Sequence, residues 1–100
     1  MTSKENLMLV AMEEANELSK ELSKTMRFGR DNFHPDEPEK TNENNLLTEF
    51  YQLTAMIEHL QKIGELPEFS VEKIEEIKSS KIEKVYHYMN LTKELGFLND

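Results

Sequence analysis

Apolar residues recur every three or four positions through most of the chain, which is the period of an amphipathic α-helix. No Pro or Gly interrupts Ser3–Arg27, and Gly29 follows at a position where helix C-termini favour glycine. The pattern therefore predicts a first helix that packs along one apolar stripe. The stripe consists of Leu7, Ala11, Ala15, Leu18, Leu22 and Met26.

Two more helices are predicted downstream. Thr41 or Asn42 can cap a second helix, which Gly64 and Pro67 bring to an end. Its predicted buried face consists of Leu46, Phe50, Leu53, Ile57 and Leu60. Ser70 is a suitable N-cap for a third helical region that stops at Gly96, although Ser79 and Ser80 could divide that region in two. Its apolar positions are Val71, Ile74, Ile77, Ile82, Val85 and Met89.

The segment between the first two helices has no apolar period. Residues Arg30–Lys40 include Pro35 and Pro38, and the segment is long for a helix connection, which makes it a candidate for a functional loop.

The expected fold is all-α, a helical bundle of three or four helices in a single domain over residues 1–100. A three-helix chain of this size buries a thin core, and several apolar residues lie outside the predicted stripes. Examples are Leu9, Val10, Leu47, Met56 and Tyr86. We therefore expect oligomerisation to complete the core, as a homodimer or homotetramer.

Composition narrows the functional classes. The net charge of −8 and the pI near 4.9 argue against a broad nucleic-acid interface or a helix on an anionic membrane. There is no cysteine, which excludes thiolate chemistry and disulfides. The longest apolar run, Leu7–Met12, is far too short to span a membrane and leads into acidic residues, so we expect a cytoplasmic protein.

Candidate chemistry comes from acids beside the apolar stripes. Glu14 and Glu17 are neighbours on one helix face, and Glu49 and Gln52 have the same spacing on the second helix. If the two helices pack antiparallel, these four side chains can converge. Carboxylates gathered in this way repel one another unless a cation neutralises them, and Mg²⁺ or Mn²⁺ suits an all-oxygen site.

A plainer interpretation is that these glutamates decorate a solvated helix face, as we expect for Glu13, Glu21 and Glu58; Glu13 could also support the ligands from behind. Lys24, Arg27 and Arg30 follow the first acidic pair. They can complement the helix dipole or bind phosphate. Phe28, Phe33 and Tyr51 could stack on a nucleobase or serve as core, and His34, His59 and His87 show no site spacing.

The segment Glu13–Leu18, followed by Glu49–Leu53, resembles the Glu-Glu-x-x-Glu … Glu-x-x-Asp pattern of the MazG-like nucleoside triphosphate pyrophosphohydrolases. The stretch Ser19–Gly29 is also similar to that of small MazG-like proteins of phages and bacteria. The resemblance covers roughly Leu7–Gln61. Gln52 departs from the pattern, since the family generally has Asp there.

The resemblance implies an all-α oligomer in which Glu14, Glu17, Glu49 and the residue at position 52 hold Mg²⁺. It also implies hydrolysis of a (d)NTP to the monophosphate and pyrophosphate. The three glutamates would be the catalytic set, and a water oriented by the metal or by a glutamate would attack in line. Lys24, Arg27 or Arg30 would stabilise the leaving pyrophosphate.

Gln52 keeps a second hypothesis open. Because it removes one charge and one ionisable oxygen, the chain could be a non-catalytic MazG-like helical protein that binds a nucleotide or a protein partner. A purely structural bundle with solvated glutamates is the third possibility.

Overall fold

The computed structural model describes all residues, Met1–Asp100, and contains three helices and no strand. The helices are α1 (Ser3–Phe28), α2 (Asn42–Lys62) and α3 (Val71–Glu94). The all-α prediction is confirmed. Ser79 and Ser80 lie inside the continuous α3, so the possible division of this region does not occur. The chain forms two compact units, Met1–Pro67 and Glu68–Asp100.

Local capping explains the helix limits. The side chains of Thr2, Thr41 and Ser70 accept hydrogen bonds from backbone N–H groups three residues downstream, at 3.1, 3.2 and 3.1 Å. Such caps satisfy N–H groups that have no partner within the helix. α1 ends at Gly29, whose φ of 94° is unfavourable for residues with a side chain.

In the first unit, α1 and α2 form an antiparallel hairpin. At one end, Nδ2 of Asn42 donates to the carbonyl oxygen of Gly29 at 2.8 Å. At the other end, Nζ of Lys4 lies 3.0 Å from Oε1 of Glu65. These contacts join the start of each helix to the region just beyond the end of the other. The antiparallel arrangement on which the predicted convergence of acids depends is therefore present.

The packed face of α1 differs from the predicted stripe. Ala15, Leu22 and Met26 are exposed. The residues that are buried or partly buried include Leu7, Ala11, Glu14, Leu18, Glu21 and Thr25. They alternate in steps of four and three, which is the spacing of a seam between two paired helices. The prediction is confirmed for Leu7, Ala11 and Leu18 and wrong for the other three residues, because apolar residues also occupy the neighbouring face, where they remain uncovered.

The hydrophobic core of the hairpin is small. Ala11 and Leu60 are its only buried apolar residues, and both lie in the half remote from the loop. Leu46 and Leu53 of α2 are partly buried, whereas Phe50 and Ile57 from the predicted buried face are exposed. Most of the apolar surface of this unit therefore remains accessible.

The second unit contains α3, which has no buried residue. Ile74, Ile77, Ile82 and Val85 are all exposed. No helix of the chain has the length and apolar character needed to cross a membrane.

Candidate functional site

Three carboxylates lie on the faces along which α1 and α2 pack. Glu14 and Glu21 are seven residues apart on α1, nearly two full turns, and share a face with Ala11 and Leu18. Glu49 is partly buried on α2. In an ordinary helix pair these positions would be apolar, because burial of an unpaired charge is unfavourable. Here acidic side chains occupy them.

The side-chain amide of Gln52 joins two of these carboxylates. With its nitrogen directed toward them, Nε2 donates to Oε2 of Glu14 at 3.2 Å and to Oε2 of Glu49 at 3.0 Å. The opposite orientation would place the amide oxygen against two carboxylate oxygens. Gln52 therefore links α1 to α2 through the acids in a way that an aspartate could not.

The surroundings of Glu49 raise the pKa of its carboxyl. Loss of hydration by burial raises the pKa of its carboxyl above the ordinary value of 4.5, and a hydrogen bond with Glu14 raises it further. The charges of Glu14, Glu17 and Glu21 act in the same direction. All of these effects disfavour the ionised form of Glu49. A bound cation would have the opposite effect.

Glu21 is buried, so the expectation that it is solvated is wrong. Only 9 % of the residue is exposed, and Oε2 has no hydrogen-bond partner. Its other oxygen, Oε1, lies 3.5 Å from Nζ of Lys24. Glu13 and Glu58 are exposed, as expected. We use the term acidic cluster for Glu14, Glu17, Glu21, Glu49 and Gln52.

The structure thus brings the four residues of the predicted metal site into one region, with Glu17 and Gln52 at its exposed side. No three of the chain's His, Asp or Glu side chains already stand together as a set of metal ligands. The donor chemistry nevertheless fits a hard dication, because every member of the acidic cluster carries oxygen and Oε2 of Glu21 lacks a partner.

No protein-family model, curated protein or solved structure matches the chain. What the chain can do therefore follows from the chemistry of the acidic cluster and of the surface beside it.

An open groove of about 310 Å³ lies next to the acidic cluster, at the loop end of the hairpin. We call it the loop groove. Residues that line it include Lys24, Phe28, Phe33, His34, Lys40 and Asn42. Lys24 belongs to both features, since it lines the groove and pairs with Glu21. The groove combines aromatic rings with the side chains of Lys24 and Lys40, and Lys40 pairs at 3.1 Å with Glu37, which also lines the groove. Rings and cations are groups suited to a phosphorylated ligand with a planar base.

The predicted phosphate-binding cations differ in position. Lys24 lines the loop groove, whereas Arg27 and Arg30 are not among its lining residues. The guanidinium of Arg27 lies 5.1 Å from the ring centre of Phe28, a cation–π contact. Of the predicted stacking residues, Phe28 and Phe33 line the groove, and Tyr51 lies with Gln52 on a separate open surface of α2.

Sequence reasoning missed three residues near these features. Glu21 was set aside as solvated, yet its place seven residues after Glu14 is a signal that both could face the same partner helix. His34 and Lys40 line the groove together with residues of both helices. No spacing rule brings loop residues to a groove, because the path of the loop decides which side chains meet.

Proposed function

We propose that this chain is a Mg²⁺-dependent nucleotide pyrophosphohydrolase of the MazG-like type, cleaving a (d)NTP to the (d)NMP and pyrophosphate. One observation carries the proposal: carboxylates from both helices, those of Glu14, Glu21 and Glu49, lie in the seam of the hairpin. Retaining several mutually repelling acids in a seam is unfavourable unless they bind a cation. Exposed Glu17 extends this set toward solvent.

The proposed ligands of Mg²⁺, or of Mn²⁺ in its place, are the carboxylates of Glu14, Glu17 and Glu49. The cation would neutralise phosphate charge and polarise the phosphoryl oxygens of a bound triphosphate. Such a mediator is needed because the chain has a net charge of −8 and would otherwise repel the substrate.

The protein's own side chains then have three tasks, which are to orient a water molecule, to take its proton and to stabilise the leaving group. A carboxylate of the acidic cluster orients a water molecule and takes its proton as the water attacks the α-phosphorus. The bond from that phosphorus to the oxygen bridging the α- and β-phosphates breaks, and pyrophosphate leaves. Lys24, at the border between the acidic cluster and the loop groove, stabilises the negative charge on the leaving group.

The loop groove is the proposed place of the nucleoside. Phe28 and Phe33 offer apolar rings to a base, and His34 and Lys40 offer polar atoms to the sugar or the phosphates. This placement puts the triphosphate between the groove and the carboxylates of the hairpin. Arg27, which contacts Phe28, and Arg30 would act only in neutralising the surrounding field.

We further propose that the functional form is a homodimer or homotetramer. The hairpin buries only two apolar residues, while Leu47, Phe50 and Ile57 on α2 are exposed. α3 likewise exposes its isoleucines, such as Ile77. A second copy of the chain would cover this apolar surface and supply the burial that so small a core lacks.

A non-catalytic nucleotide- or partner-binding protein is the second candidate, and the contacts of Gln52 favour it. A neutral amide that hydrogen-bonds Glu14 and Glu49 relieves some of their repulsion without a metal. In this case the fold persists and ligands bind, but no bond is broken.

The test is an incubation of the full chain with a panel of NTPs and dNTPs and Mg²⁺, with pyrophosphate and orthophosphate measured separately. We expect pyrophosphate as the primary product and complete inhibition by EDTA. Glu49→Gln should abolish turnover, and Glu58→Gln, which alters an exposed acid of the same helix, should retain it. Orthophosphate as the first product would refute the assignment. Nucleotide binding without turnover would support the second candidate.

A further inference from the structure

Glu21 is the only acidic residue of the chain that is buried. Its Oε2 has no hydrogen-bond partner, and its Oε1 contacts Lys24, a side chain that is 40 % exposed. A buried carboxylate oxygen without a partner is unfavourable, because it loses water and gains no donor. The ion pair with Lys24 therefore compensates the burial of one oxygen of Glu21, and the burial of the other oxygen is not compensated.

The unpartnered oxygen belongs to a side chain in the seam between α1 and α2. Glu21 lies on the same face of α1 as Glu14, and helical side chains lean toward the N-terminus, which brings its carboxylate over the turn of Glu17. Across the seam, the charge of Glu21 acts on Glu49 of α2. Glu21 therefore shares a face with one acid of α1 and acts electrostatically on one acid of α2.

We infer that Glu21 is a further ligand of the divalent cation in the acidic cluster and supplies the charged oxygen that Gln52 lacks. This inference rests on the proposed function, from which it takes the cation. The amide nitrogen of Gln52 is engaged by Glu14 and Glu49, so Gln52 positions these two carboxylates. Together with Glu17, Glu21 restores a set of four carboxylates.

The chemistry of this set defines the class of ion. All of its donors are carboxylate oxygens, and the chain has no cysteine. Neither His59 nor His87 hydrogen-bonds or pairs with any of these acids, and His34 pairs with Asp36 in the loop. Hard cations such as Mg²⁺ and Mn²⁺ prefer such donors, whereas zinc sites usually include nitrogen or sulfur.

The test measures binding of Mn²⁺ alone to the full chain, by titration calorimetry and by electron paramagnetic resonance of the free ion. Glu21→Gln should weaken Mn²⁺ binding by at least about tenfold, since even loss of a group behind a metal ligand has an effect of that size. The matched control Glu58→Gln removes an exposed acid and should bind as the parent does.

A compensating variant distinguishes the loss of a metal ligand from the loss of a structural contact. Adding Gln52→Asp to Glu21→Gln returns a carboxylate to the cluster and should recover most of the lost Mn²⁺ affinity. Circular dichroism before titration identifies folded variants. Unchanged Mn²⁺ affinity in folded Glu21→Gln would overturn the inference and leave Glu21 as the partner of Lys24 only.

The outcomes also separate this inference from the proposed function. Tight Mn²⁺ binding that depends on Glu21, without pyrophosphate release from any nucleotide, would support the ligand role and refute the hydrolase. If Glu21→Gln retains both pyrophosphate release and full Mn²⁺ affinity, the hydrolase is supported and the ligand role of Glu21 is refuted.

Discussion

With its nitrogen directed toward the acids, the side-chain amide of Gln52 on α2 donates a hydrogen bond to the carboxylate of Glu14 on α1 at 3.2 Å. The same nitrogen donates to Glu49 at 3.0 Å. One neutral side chain thereby links two acids on opposite sides of the helix seam. In the MazG-like pattern on which the proposed function draws, this position carries the fourth metal-binding acid, so Gln52 would exchange a charged metal ligand for a donor that relieves repulsion.

Gln52→Asp should make the fold more dependent on metal. Without metal, the substitution replaces two hydrogen bonds by repulsion, and we expect a loss of about 1 kcal/mol and a melting temperature lower by roughly 4 to 8 °C. With millimolar Mg²⁺ the added carboxylate should strengthen binding and recover that loss. Thermal melts with and without Mg²⁺ measure both effects.

Asn16→Asp is the matched control, because it adds the same charge at an exposed position of α1. It should change the melting temperature little in either condition. An equal response of the two variants would show that net charge, and not the place of Gln52 between the acids, determines stability.

The stability of the metal-free protein should fall as pH rises through the raised pKa of Glu49. Because its folded-state pKa lies above the ordinary value of 4.5, protonation of Glu49 favours the folded state. That contribution is fully present below 4.5 and is lost above the folded pKa. The groups that face Glu49 are Glu14, Glu17 and Glu21 of α1 and Gln52 of its own helix.

Glu49→Gln should remove this pH dependence, and its melting temperature should exceed that of the parent above the raised pKa. Added Mg²⁺ should stabilise the parent most at the higher pH, where protons no longer compete for the carboxylates. Melts at a series of pH values, with Glu58→Gln as control, measure the difference. A parent that is stabilised by Mg²⁺ equally at all pH values would contradict the prediction.

Lys24→Gln should lower kcat/KM for the triphosphate by about three- to tenfold through kcat, since it removes a cation that stabilises charge on the leaving group. Lys20→Gln, an exposed lysine one turn earlier on α1, should leave kcat/KM nearly unchanged. Steady-state kinetics at saturating Mg²⁺ measure both. Equal effects of the two variants would indicate a general field effect and not a contact.

Sedimentation at micromolar concentration should show a dimer or a larger even-numbered oligomer. Ile77→Glu places a charge on the exposed apolar side of α3 and should shift the protein toward the monomer. Lys78→Glu, at the adjacent residue, changes a charged position and should leave the assembly intact. A parent protein that sediments as a monomer with a sharp cooperative melt would refute the proposed association.

Much of the secondary structure could be predicted from local chemistry. Ser70 caps a helix as expected, and so does Thr41, one of the two expected caps of α2, since a hydroxyl needs only the N–H groups of the following turn. α1 ends at Gly29 because the backbone there has a positive φ, which glycine adopts readily and residues with a side chain do not. The spacing of Glu14 to Glu17 and of Glu49 to Gln52 likewise follows from helix geometry alone.

The partner face of α1 was decided by the tertiary structure. Ala11 and Leu18 belong both to the predicted stripe and to the packed face, but from Ala15 onward two neighbouring faces compete. A period of 3.6 residues drifts against a seam that repeats every 3.5, so small differences in helix crossing decide which face is covered. In this hairpin the covered face includes Glu21, while Leu22 remains exposed.

By itself, then, the sequence determined the approximate limits of the helices and which acids lie one turn apart, because these depend on groups within a few residues of each other. Only the tertiary structure decided that Gln52 joins Glu14 to Glu49, that Glu21 is buried beside Lys24, and that loop residues line a groove with α1. Those contacts depend on the register between two helices, to which residues far apart in the chain contribute together.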